Sequence, residues 1–410
     1  MNKTLLIIHI FLFSNFIFAQ EELPVDGVGG AGVPFLLISP NARASAMGEA
    51  GVGLADDASA IFWNPAGLGF QTGEGGSMTH SPWLPQFGFS DLFYDYLNYK
   101  YNLEDVGTLG ASVTFLNLGE FIRTGEDSPE EIGRWKAYEG AFTIGGGFKV
   151  TDNFSLGLNL RYIRSALAPF GTAEEQGSGT ANAISFDVGT MFKENFEDIG
   201  TISTGLSLSN VGPKIAYIDE AQADPLPTTL RFGFGYEFKA DEYNSLTYTV
   251  DFSRLLTRRN YIEYDDKLTT NDEGDTIPNP DYGRYTDGDE VLPSQDVERA
   301  IFSSWSDGSK LRRITTGMGL EYWYGAPKLL ALRLGWFYED PKYGNRNILT
   351  FGAGLRYDEF GFDFSYINKL TEEFSPLDGT LRFTVMMELG NVSSQIFDEE
   401  ELDEEPSTDF

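Results

Sequence analysis

From Phe154 to Tyr162 every second residue is apolar. Phe154, Leu156, Leu158, Leu160 and Tyr162 share one face, and Ser155, Gly157, Asn159 and Arg161 the other. A period of two is the signature of a β-strand with two unlike faces. The same alternation runs from Leu230 to Phe238 and from Leu381 to Leu389. It predicts fourteen strands, near 72–80, 88–101, 107–117, 138–149, 154–164, 183–193, 200–210, 229–239, 245–256, 311–323, 329–339, 346–357, 360–368 and 380–389. Most are longer than the five or six residues usual in globular sheets and fit the ~9–11 a tilted strand needs to cross a bilayer.

The connections point the same way. After the first pair, short links at 102–106, 150–153, 194–199, 240–244, 324–328 and 358–359 alternate with longer ones at 118–137, 165–182, 211–228, 257–310, 340–345 and 369–379. Short turns at one end and long loops at the other are the habit of an outer-membrane barrel. The expected fold is therefore all-β, a 14-stranded antiparallel transmembrane barrel over 72–390, with both termini periplasmic and the 257–310 loop outside. Its apolar face meets lipid. Its polar face lines the lumen with Arg161, Asp187, Arg231, Glu237, Asp251, Arg333, Arg356, Asp363, Arg382 and Glu388. A basic side chain turned to mid-bilayer would cost about 2–4 kcal/mol. Inside, both signs can pair.

Composition narrows the function. The 410 residues carry a net charge of -33, which opposes binding to a phosphate backbone, so no nucleic-acid partner is expected. There is no cysteine, and 33 Phe and 20 Tyr with 46 Gly favour strands. Residues 1–19 read as a secretory signal: Lys3, an apolar run from Leu5 to Phe18, and Ala19 before the cleavage point. Acidic charge gathers in the 257–310 loop and in the 391–410 tail, where "DEEELDEE" spans Asp398 to Glu405. Such runs are usually solvated. The stretches "NDEGD" (271–275) and "TDGDE" (286–290) could meet calcium but lack EF-hand spacing. His80, the one histidine after the signal, stands near Ser77 and Ser81, a weak basis for a hydrolase. No catalytic group, metal site or cofactor is expected, and the chain does not read as an enzyme.

One stretch is not strand-like. Residues 20–71 hold "DDASAIFWNPAGL" from Asp56 to Leu68. Asp56 or Asp57 can cap a short helix, Ala58 to Trp63 supply it, and Asn64 ends it because the residue before proline avoids helical geometry. The expected place is the periplasmic mouth of the barrel, with Ile61, Phe62 and Trp63 on the wall and Asn64-Pro65 turning into the first strand.

The longer stretch "GVPFLLISPNARASAMGEAGVGLADDASAIFWNPAGL" (Gly32 to Leu68) resembles the PorV/PorQ group of outer-membrane proteins, within the FadL-like barrels. The matching positions are Pro40, Ala42-Arg43, Met47-Gly48, Asp56-Asp57-Ala58 and Asn64-Pro65-Ala66. The likeness continues through "SPWL" (81–84), "LNLRYIRSAL" (158–167), "LSLSNVGPKIAYI" (206–218) and "LPTTLRFG" (226–233), closest to PorV. It implies fourteen strands and an N-terminal segment folded into the lumen. It also implies a role in type IX secretion: binding the very large translocon barrel, collecting cargo by its C-terminal signal domain and passing it to a surface attachment complex. A FadL-type transporter of hydrophobic small molecules is the alternative. A lumen rich in Gly, Ser, Asp and Arg disfavours a greasy conduit.

Overall fold

A computed structural model describes residues 30–389, apart from 125–129, 169–177, 197–199, 218–222, several stretches between 258 and 310, residue 342 and residues 372–374. The signal segment, the acidic tail, and nearly all of both calcium stretches lie outside the described residues.

Fourteen antiparallel strands close into one barrel. They are β1 (Glu74–Pro82), β2 (Phe93–Leu103), β3 (Gly107–Thr124), β4 (Glu131–Thr151), β5 (Phe154–Ala168), β6 (Gly179–Phe196) and β7 (Gly200–Val211). The second half is β8 (Thr229–Lys239), β9 (Asn244–Leu255), β10 (Ile314–Tyr324), β11 (Leu330–Tyr338), β12 (Asn347–Tyr357), β13 (Phe360–Lys369) and β14 (Leu381–Leu389). Each strand pairs with its sequence neighbour, and β1 closes on β14 with Glu74 opposite Leu389. Closure leaves no unpaired sheet edge, which a strand in lipid cannot tolerate. Alternation becomes inside and outside: on β5, Ser155, Asn159 and Arg161 are buried, while Leu158, Leu160 and Tyr162 are exposed.

The departures from the expected strands have local causes. β2 begins at Phe93 rather than 88, because a 3-10 turn (Pro85–Phe87) flanked by Leu84 and Gly88 at positive φ interrupts the run. β3 and β4 run far into the expected 118–137 loop, with Phe121 opposite Trp135 and their rings stacked at 5.6 Å. That extension has no buried face, so alternation does not reveal it. Among the described residues of the long 257–310 connection lie two small ladders and the helix α3 (Val297–Ser303). Just beyond that helix, Trp305 lies under the Arg254 guanidinium at 4.4 Å.

The N-terminal segment threads the lumen from one mouth to the other. Gly32 donates its N–H to Pro225 O at the long-loop end, where Phe35 and Leu36 pack with Tyr94, Ile163, Ile215 and Leu226. Helix α1 (Ala42–Ala46) follows, then α2 (Ala60–Trp63). A 3-10 helix (Pro65–Phe70) at the short-turn end leads into β1. Two expectations change. The segment fills the lumen rather than its mouth alone, and Asn64-Pro65 opens a 3-10 helix before the first strand. The described N-terminal residues and Leu389 also lie at opposite ends of the barrel. Strand parity fixes where the wall begins and ends, not the course of a segment inside it.

Candidate functional site

The plug sits on wall glycines. A Cβ on Gly147 would come within 2.4 Å of Pro65 O, one on Gly157 within 2.2 Å of Ala66 N, and one on Gly233 within 2.2 Å of Gly53 N. Across the barrel, a Cβ on Gly335 would lie 2.0 Å from Gly48 N. These positions lack side chains because plug backbone occupies the space. Gly147 stands opposite Gly157, Gly205 opposite Gly233, and Gly319 opposite Gly335, so the glycines form a belt.

Two polar residues interrupt the belt and hold plug backbone. Asp251 lies opposite Gly233 on one side and Gly317 on the other. Its carboxylate accepts the N–H groups of Val52 (2.6 Å), Gly51 (2.7 Å) and Gly53 (3.2 Å). Thr350, opposite Gly335, accepts from Gly48 N at 3.0 Å and donates to Ala46 O at 2.9 Å.

Below the belt, toward the short turns, the plug is held through charge. Arg43 on α1 reaches Glu321 Oε1 (2.8 Å), Asp56 Oδ1 (2.5 Å) and Asp57 Oδ2 (3.2 Å). Glu321 also meets Arg333 Nε at 2.7 Å; Arg333 meets Asp363 at 2.8 Å, and Asp363 meets Arg356 at 2.8 Å. The guanidiniums of Arg333 and Arg356 lie 5.4 Å and 5.1 Å from the Trp323 ring. The chain alternates in sign from the plug into the wall, and Glu321, Arg333 and Asp363 are fully buried. Buried charges are tolerable when each has such partners. For Asp56, partial desolvation would raise the carboxyl, but the Arg43 guanidinium outweighs it and holds the pKa at about 2.

This corrects the capping assignment. Ser59, not an aspartate, is the residue before α2. Asp57 instead accepts from Ser59 N (2.8 Å) and Ser59 Oγ, tightening the turn ahead of the helix. Asp56 serves Arg43. Asn64 does end α2, with extended φ and ψ of -158° and 103°. Its side chain accepts from Ala66 N and donates to Thr190 O, pinning the turn to β6.

The remaining expected positions fall as follows. Pro40 precedes α1, Met47 and Gly48 follow it against β10 and β11, and Ala58 is buried. Ile61 faces Gly110, and Phe62 makes edge contacts with Trp63 (5.0 Å) and Tyr96 (6.3 Å). Arg161 pairs with Asp187 at 2.8 Å, also binding Thr143 and Asn210. Arg231 donates to Ser209 Oγ, and Arg382 to Ser45 Oγ. Glu237 pairs with Lys328 at the short-turn rim, and Glu388 with Lys100. Glu321 and Lys100 are absent from the expected set, although strand parity with Gly317 and Gly319 places Glu321 inside. His80 turns outward with Met78 and bonds Asp95 at 2.7 Å, while Ser81 turns inward and is buried. The wall thus separates the histidine from Ser81. Among the described residues no three His, Cys, Asp or Glu side chains are grouped to hold a metal.

Against known proteins, the model of the family described as Type IX secretion system protein PorV matches residues 25–260. No curated protein matches the chain. Among solved structures, the Ralstonia pickettii toluene transporter TbuX is similar at 12% identity and TM-score 0.47, covering 86% of this chain and 98% of that one. A Pseudomonas aeruginosa FadL homologue is similar at 13% identity and TM-score 0.45, covering 85% and 98%. The Pseudomonas putida toluene transporter TodX follows at 12% and 0.44, covering 90% and 98%. With a closed fourteen-stranded barrel in hand and more than half its length matched, the chain belongs to the PorV family, outer-membrane components of the type IX secretion system.

Proposed function

We propose that this barrel is a shuttle of the type IX system. It binds the large translocon barrel, collects cargo by its C-terminal signal domain and delivers it to the surface attachment complex. The observation that carries this reading is the filled lumen. Plug backbone packs against wall glycines on both sides of the barrel, and two of the spaces beside it measure about 160 Å³ and 150 Å³, small for a polypeptide. A barrel that cannot conduct its cargo must handle it from outside, through rim, loops and outer wall. The long loops then face the cell exterior and the short turns the periplasm, as in other barrels of this kind.

Deletion of the gene, in a strain without paralogues, tests the reading. Secreted cargo should accumulate inside the cells, and a native pull-down of the tagged protein should bring down a very large translocon. Normal secretion would overturn it. Fatty acid deep in the lumen, with no translocon, would favour the transporter instead.

A further inference from the structure

On the long-loop side of the belt, the plug and wall enclose a space of about 150 Å³. It is similar in size to an engineered cavity of ~150 Å³ that holds benzene. Trp63, Leu255 and Phe337 supply apolar surface. The lining also holds five charged groups: Arg231, Arg313, Arg346, Glu49 and Glu339.

Three of these are engaged. Arg346 pairs with Glu339 through two contacts, 2.7 Å and 3.2 Å, and lies on the Phe337 ring at 4.7 Å. Arg313 donates to Thr257 O at 3.0 Å. The other two make no ion pair. Arg231 is 5% exposed; among the described residues its one hydrogen bond goes to the uncharged Ser209 hydroxyl, its guanidinium lies 5.9 Å from the Phe62 ring and 6.0 Å from the Trp63 ring, and carboxylates, Glu49 among them, attract it only at longer range. Glu49 is half-buried, in the turn after α1, with its backbone at φ 60°. Its carboxylate makes no hydrogen bond or ion pair with any described residue, and it attracts Arg231, Arg346 and Arg382 only at longer range.

One small space therefore presents a guanidinium and a carboxylate that attract one another without forming an ion pair. Desolvated charges without a directly bonded partner are costly, and a ligand that bridges the two recovers part of that cost. A simple anion would suit Arg231 but face Glu49. A simple cation would suit Glu49 but face Arg231 and Arg313. A zwitterion meets both, and a guanidinium favours a carboxylate as its two-point partner. We propose that this space binds a small zwitterion with an apolar body, of the size of an apolar amino acid, with its carboxylate on Arg231, its ammonium on Glu49 and its body against Trp63, Leu255 and Phe337. This inference does not depend on the secretion reading.

Calorimetric titration of the folded, detergent-solubilised full chain tests it. The probes are L-leucine, 4-methylpentanoate (no ammonium) and 3-methylbutylamine (no carboxylate). Leucine should bind about tenfold or more tighter than either analogue, the order expected for a lost charge-assisted bond. Arg231→Gln and Glu49→Gln should each weaken leucine by a similar factor, in protein that keeps its heat-sensitive barrel mobility on gels. If 4-methylpentanoate binds as well as leucine and Glu49→Gln tightens it, the site is a plain anion site and the proposal fails. It fails equally if the amine binds best, or if wild-type protein binds no probe up to ~10 mM. Should either variant not fold, the wild-type probe series decides alone.

Discussion

The belt and the charged chain hold the same segment by opposite means. In the belt, wall backbone and two polar side chains meet plug backbone: Gly335 against Gly48, Gly233 against Gly53, Asp251 on the amides of 51–53. Apart from requiring small residues, the belt reads little of the plug's sequence. The charged chain instead reads one plug side chain, Arg43, through wall residues on β10 to β13. At the glycines the belt is steric and cannot adjust, because both surfaces there are backbone. The charged chain is made of long side chains that can move and be screened. The belt therefore fixes whether the plug fits at all, and the charged chain fixes its register near the short-turn mouth.

The largest expected effect lies in the belt. Gly335→Val would place a Cβ 2.0 Å from Gly48 N and 2.4 Å from both Met47 C and Thr350 Oγ1. Overpacking a core usually costs about 1–3 kcal/mol, and a clash between two backbones has less room to relax, so the cost should lie at or above that range. The plug should leave the lumen or the barrel should fail to assemble. Trypsin reports this directly, because Arg43 is nearly buried in the intact protein. Wild-type protein should resist cleavage at Arg43 and the variant should be cut there. Equal resistance would mean the glycines are incidental and the comparison is wrong.

Next comes Asp251→Ala, which leaves no steric conflict but strips three plug amides of their acceptor. An unsatisfied buried donor costs about 1–3 kcal/mol, so the loss should total roughly 2–5 kcal/mol once the plug relaxes. Amide hydrogen exchange at Gly51, Val52 and Gly53 should accelerate far more than at strand amides of β9. Asp251→Asn keeps one acceptor oxygen and should fall between. If exchange at the three amides is unchanged, Asp251 is a bystander and the belt holds the plug by shape and by Thr350.

These features were unequally legible in the sequence. All fourteen strands follow from alternation, because lipid outside and polar lumen inside impose a period of two on residues such as 154–162. The β3–β4 extension escaped it because neither face of Phe121 to Thr124 is buried. Helix α2 was legible through Asn64-Pro65, a local steric rule. Its acids were misread because Asp56 and Asp57 look identical to a helix cap until Arg43, on another turn of the plug, is brought beside them. The inward set was readable by parity, including Glu321, yet its pairings were not. Which arginine meets which carboxylate depends on shear between strands and on a plug whose path no periodicity records. The glycine belt was visible only as many glycines within strands; that they answer the plug backbone is a tertiary fact.

The smallest expected effect belongs to the charged chain and has a definite pH signature. Asp56 lies 2.5 Å from Arg43, but its side chain is 40% exposed, so solvent screens the pair and its worth stays below ~1 kcal/mol. Its folded pKa of about 2 lies under the ordinary carboxylate value near 4. A lowered folded pKa means stability that is complete above about pH 4 and is lost as pH falls through about 2. Asp56→Asn should therefore lower the urea midpoint slightly at pH 7 and by the same amount at pH 5. The gap to wild type should close between pH 4 and pH 2. Because the comparison is between two proteins carrying the same other carboxylates, their own titration largely cancels. A gap that persists at pH 2, or that opens only on acidification, would show that Asp56 does not act as Arg43's charged partner, and the register of the plug would then rest on Glu321 and Asp57.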